Sequence, residues 1–139
     1  MNIINSVTRE VQTVAINQNV LFNSNRVKSC SNCGAIRHDE GSGLFTLTQK
    51  GIYRVHFNGN VTSATVGDIS LAIEVNGESI SGGIINEVVA VANDEANVAA
   101  EILVNVPCNC CMTISVGNIS AENAILVDNA NIIIEKLGC

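Results

Sequence analysis

Apolar and polar residues alternate along most of this chain. After Gly43, Phe45 and Leu47 alternate with Leu44, Thr46 and Thr48. After Gly51, Tyr53, Val55 and Phe57 alternate with Ile52, Arg54, His56 and Asn58. Ile69, Leu71, Ile73 and Val75 then fall on one face, with Ser70, Ala72 and Glu74 on the other. The runs AEILVNV (100–106) and MTISVGN (112–118) repeat the pattern, and NIIIEKL (131–137) is a short β-branched run near the end. A period of two, bounded by turn residues, predicts half-buried strands.

The punctuation agrees. Asn76-Gly77 and Asn58-Gly59 are predicted as turn or bulge dipeptides, because both residue types tolerate positive φ. Gly41, Gly43 and Gly51 separate the early strands, and Gly82-Gly83 interrupts the middle of the chain. The stretch 86–103 carries enough Ala and Glu to be read as helical. Its β-branched residues gather on either side of Asn93-Asp94-Glu95, so two strands joined by an acidic loop are expected. Short strands with frequent turns predict an all-β antiparallel sandwich or jelly roll. Residues 1–11 are polar enough to be expected as an N-terminal arm, leaving 12–139 as the domain.

Composition narrows the picture. The chain has 139 residues, enough for one domain with a real core. Apolar residues make up 47% and charged residues 14%, while aromatics are 3% with no Trp, so the core is expected to be aliphatic. So little charge leaves apolar surface to bury, which points to oligomerisation. Seven basic against 13 acidic side chains, a net charge of −6, offer no basic stripe for nucleic acid and no attraction to an anionic membrane. No stretch reads as a secretory signal or a membrane span, so synthesis in the cytoplasm is expected.

The stretch SGLFTLTQKGIYRVHFNGNVT (42–62) resembles the tumour necrosis factor-like jelly roll. That fold is shared with complement globular heads and with C-terminal domains of bacterial collagen-like spore-surface glycoproteins. Gly51, Tyr53 and Phe57 carry most of the likeness. ISLAIEVNGESI resembles the strand ending in Asn-Gly, VAAEILVNVPCNCCMTISVGN the penultimate hairpin, and ANIIIEKL the closing strand. The likeness spans roughly residues 12–137. The chain lacks a collagen-like stalk, as a free-standing phage decoration or fibre head would. The resemblance implies a compact homotrimer that presents loops outward and performs no chemistry.

Six cysteines, Cys30, Cys33, Cys108, Cys110, Cys111 and Cys139, are the remaining candidates for chemistry. Cys108–Cys111 are expected to form the turn of a hairpin, with Pro107 at a strand end that can spare its N–H. Cys30-x-x-Cys33 could supply half of a zinc tetrahedron, and Cys108 with Cys110 or Cys111 the rest. Disulfides, to one another or to a neighbouring subunit, are a second reading, and free thiols as small apolar turn residues a third. No metal or other cofactor is expected to be required.

Other residues read plainly. His38, between Arg37 and Asp39-Glu40, is expected in a solvated turn, and His56 at a surface or interface. Asp94, Glu95 and Asp128 are expected as solvated loop acids without EF-hand spacing. Asn60-Val-Thr62 and Asn118-Ile-Ser120 match the glycosylation sequon, which means little without a secretory signal. No nucleophile elbow or phosphate cradle is present, so no catalytic residue is named. Tyr53, Val55 and Phe57 are expected in the core. The expected protein is a structural or adhesive trimer displayed on a virion or spore surface. Its partners would be itself and a capsid, fibre or spore-surface protein. The alternative is a head that binds a glycan or host receptor through outer loops.

Overall fold

The computed structural model describes residues 2–28, 34–108 and 111–138. These form eleven strands: β1 (Ile3–Thr8), β2 (Gln12–Val14), β3 (Ser24–Lys28), β4 (Ile36–Arg37), β5 (Phe45–Leu47), β6 (Gly51–Thr62), β7 (Gly67–Val75), β8 (Glu78–Val89), β9 (Ala96–Val106), β10 (Met112–Asn118) and β11 (Ile125–Gly138). Sheet A runs β3-β1-β11-β6-β9, with β2 also on β11, and sheet B runs β4-β5-β10-β7-β8. Every pairing is antiparallel.

The alternation puts one side of each strand into the space between the sheets. Tyr53, Val55 and Phe57 of β6 and Ile132 and Ile134 of β11 enter it from sheet A, all fully buried. Phe45, Leu47, Ile73, Ile114 and Val116 meet them from sheet B. All three phenylalanines converge: Phe22 stands edge-on to Phe45 at 5.5 Å and to Phe57 at 6.3 Å. Such edge-to-face pairs add to the value of burial. Tyr53 is buried too, and its hydroxyl donates to the Gln49 carbonyl at 2.8 Å, so its one polar atom is satisfied.

Three expectations change. Residues 1–11 are not an arm, because Ile3–Thr8 lie in sheet A between β3 and β11. Ile4 is in the core, and the polar residues beside it find distant partners. The Ser6 hydroxyl donates to the Ser24 carbonyl, and that of Thr8 to the Leu21 carbonyl. Polarity there marks cross-strand hydrogen bonding rather than solvation.

The segment after Pro107 is not a hairpin either. β9 is the edge of sheet A and β10 is interior to sheet B, so the chain has passed from one sheet to the other between Val106 and Met112. The acidic loop at 93–95 does the same in the opposite direction, from β8 to β9. The edges β8 and β9 approach closely: a Cβ on Gly83 would lie 3.1 Å from Ile73 and 3.2 Å from Ile102.

Asn76-Gly77 does turn the chain between β7 and β8, with φ of 53° and 82°. Asn58-Gly59 is instead interior to β6. Gly59 faces an irregularity in β11, where Asn129 (φ 55°) and Ala130 are inserted between Asp128 and Asn131. The bulge belongs to the partner strand, and the glycine accommodates it.

Candidate functional site

The outer face of sheet A is built by the residues that the alternation leaves pointing away from the core. Register aligns them in rows across β1, β11, β6 and β9: Ile3–Glu135–Arg54–Leu103, then Asn5–Ile133–His56–Glu101, then Val7–Asn131–Asn58–Ala99. Leu103 is 64% exposed and Ile52, at the end of the face, 41%. Ile3, Val7 and Ile133 are half-buried.

A polar network crosses this apolar ground. Arg54 stands 3.4 Å from Glu101 and 3.5 Å from Glu135. These pairs are open to solvent, so each contributes little to folding. The Asn5 amide donates to Asn131 Oδ1 and to the Ile132 carbonyl, and Asn97 donates to Asn60. His56 Nδ1 is shielded from solvent without a hydrogen-bond partner among the described residues, 3.6 Å from Glu101 Oε2. His56 thus sits half-buried on this outer face, opposite Ile133 and Glu101.

His38 is not in a solvated turn. Its ring stacks on Phe45 at 3.9 Å and 10°, and only 6% of the residue is exposed. Nδ1 meets Asn25 Oδ1 at 2.5 Å and Nε2 meets the Ser42 carbonyl at 2.8 Å. Burial holds its pKa below the usual 6.5, against the opposing pull of the Ser42 carbonyl and Asp39. Both nitrogens face oxygen and the ring is wedged against the core, so His38 ties the loop 38–42 to β3.

Cys108 and Cys111 are exposed and free. Cys30, Cys33, Cys110 and Cys139 lie outside the described residues, and with them the zinc and disulfide readings that needed them. Among the described residues no three His, Cys, Asp or Glu side chains gather as metal ligands. Asp94 and Glu95 are exposed in the loop before β9. Asp128 is not a loop acid: it lies in β11, paired with Asn60. Asn118 is fully buried in the folded chain, and its amide donates to the Val14 and Asn123 carbonyls.

Sequence reasoning missed a cleft on the outer face of sheet B, where Glu74 lies over Gly117. A lone glycine inside a strand run was the available signal, since it marks a close approach.

No family model matches the chain, and no curated protein resembles it in sequence. Solved structures do resemble it in fold. The globular domain of zebrafish complement 1qA superposes with a TM-score of 0.70 at 12% identity, covering 99% of this chain and 98% of that one. Murine APRIL gives 0.68 at 9% identity, with 98% of each chain covered. The PRD1 vertex protein P5 gives 0.54 at 14% identity, covering 99% of this chain and 97% of that one. At such identities the likeness concerns the fold: a jelly roll of the tumour necrosis factor and complement-head type, shared with the PRD1 vertex protein.

Proposed function

We propose that this chain is a non-enzymatic homotrimeric surface module, displayed on a phage virion as a decoration or fibre-head protein or on a spore surface. The observation that carries the reading is the outer face of sheet A. One face of that sheet already closes the core, yet the other carries Ile3, Val7, Ile133, Ile52 and Leu103 across four strands. An apolar face of this kind, left over once the core is closed, is what closed oligomers bury. The complement and tumour necrosis factor-like folds support the threefold arrangement, and the vertex protein supports the virion setting.

In this reading Arg54, Glu101, Glu135 and His56 set the register between subunits, because apolar contacts alone are not directional. The module works by assembly and contact with a capsid, fibre or spore-surface protein, without a cofactor.

Sedimentation equilibrium tests it. The expected mass is about three times the 14.6 kDa chain, and Leu103→Asp should dissociate the assembly into folded monomers. A wild-type protein that sediments as a monomer at micromolar concentration overturns the trimer. A second reading, a head that binds a ligand, is favoured by the cleft over Gly117.

A further inference from the structure

The outward residues of sheet B form a cleft around one side chain. Glu74 of β7 projects outward, with Ser115 of β10 directly opposite and Gly117 two residues further along. The chain after β2 extends the sheet beside Gly117. Asn17 N–H donates to the Asn118 carbonyl at 2.9 Å, Asn118 N–H to the Gln18 carbonyl at 2.9 Å, and Val20 N–H to the Val116 carbonyl at 2.8 Å. Asn19 is thereby fixed against Gly117.

The missing side chain at 117 is what makes room. A Cβ there would lie 2.3 Å from Glu74 Oε1 and 3.2 Å from Asn19 Oδ1. Two oxygens therefore converge above bare backbone. The carboxylate accepts one hydrogen bond from the described residues, the Ser115 hydroxyl at 3.3 Å. An ionised carboxylate can accept about four. Among the described residues, neither the Thr113 hydroxyl nor the Asn17 and Asn19 side-chain amides are engaged, and Leu44, 48% exposed, forms an apolar rim. The cleft encloses about 370 Å³, within the range of small-molecule sites, about 300–1,000 Å³.

A larger groove of about 700 Å³ lies between residues 65–70 and 119–123. Two of its polar contacts are internal: Ser70 N–H donates to Ser120 Oγ, and the Asn123 amide to the Asp68 carbonyl. The Glu74 cleft differs in bringing two side-chain oxygens, Glu74 Oε1 and Asn19 Oδ1, together over a residue without a side chain.

We propose that the cleft over Gly117 binds a neutral saccharide, with Glu74 accepting hydrogen bonds from two ring hydroxyls. An acceptor carboxylate flanked by amides and hydroxyls suits a ligand that both donates and accepts. The Leu44 side chain offers the apolar contact that the C–H face of a sugar ring requires. Anionic sugars are disfavoured by Glu74 itself and by a chain charge of −6. One carboxylate is a poor calcium set, since such sites usually gather several. The inference rests on the surface-module reading in one respect only: sheet B faces away from the proposed assembly face and stays open to solvent.

The test is amide chemical-shift mapping of the intact chain with methyl glycosides of mannose, glucose, galactose and N-acetylglucosamine, each titrated to high millimolar concentration. Saturable shifts at Asn19, Glu74, Ser115 and Gly117 with at least one glycoside are expected. Glu74→Gln keeps the shape and removes the charged acceptor, so it should weaken binding about tenfold or more. Gly117→Ala displaces the carboxylate and should abolish saturation, with Asp68→Asn in the other groove as an unaffected control. No shift with any glycoside, shifts centred on residues 65–70 and 119–123, or a response of Glu74 to calcium alone would each overturn the proposal. Sedimentation of the same samples reports the assembly separately, so loss of the trimer and loss of sugar binding are distinguishable.

Discussion

Phe57→Ala probes how the core is held together. Phe57 is fully buried in β6, edge-on to Phe22, which in turn stands against Phe45. Burying a phenylalanine side chain contributes about 1.5–3 kcal/mol. The edge-to-face contact adds about 0.5–1.5 kcal/mol. A cavity left between two strand-rigid sheets costs about 24 cal/mol per Å³ that fails to collapse. β6 is hydrogen-bonded on both sides, to β11 and β9, so its backbone has little freedom to close the gap. The expected loss is about 3–5 kcal/mol, typical for this substitution, against a total domain stability of about 5–15 kcal/mol. Urea unfolding followed by far-ultraviolet circular dichroism measures it, with both proteins at one protomer concentration, since assembly contributes to apparent stability. Phe57→Leu keeps most of the apolar volume and should cost about 1.5 kcal/mol or less. A loss below about 1 kcal/mol for Phe57→Ala, where cavities normally cost more, would mean that the register of β6 or the aromatic cluster is wrong.

Other predictions follow from single residues. Gly51→Ala should destabilise by about 2 kcal/mol or more, because φ is 147° and a Cβ would lie 2.2 Å from the Gly138 carbonyl oxygen; equal urea midpoints for the two proteins would refute the close approach. Burial lowers the folded pKa of His38 below 6.5, so the unfolded chain binds the proton more readily. The stability contributed by neutral His38 is therefore complete above about pH 6.5 and is lost as pH falls through the lower folded value. His38→Gln should flatten the urea-midpoint profile there, and an imidazole titrating above 6.5 by NMR would contradict it. Cys108 and Cys111 should react with a thiol reagent in the native protein without a change in melting temperature, and chelators should leave that temperature unchanged. Unfolding on chelation would make the cysteines a metal site.

Strand identity was legible because alternation is a local property. Phe45 and Leu47, or Ile69, Leu71 and Ile73, turn inward wherever a strand of that sequence joins a half-buried sheet. The Asn76-Gly77 turn was legible for the same reason, since positive φ is a property of those two residues. Partnership was not local. Nothing between Val106 and Met112 says that β9 and β10 go to different sheets, because that depends on pairings made with β6, β5 and β7. Ser6 and Thr8 look solvated until the chain at Ser24 and Leu21 folds back beside β1 and its carbonyls accept their protons. His38 looks solvated until Phe45 and Asn25 close on it. The cleft is the clearest case. Glu74 and Gly117 are 43 positions apart in the numbering, and only the pairing of β7 with β10 lays a carboxylate over a residue that has no side chain to exclude it.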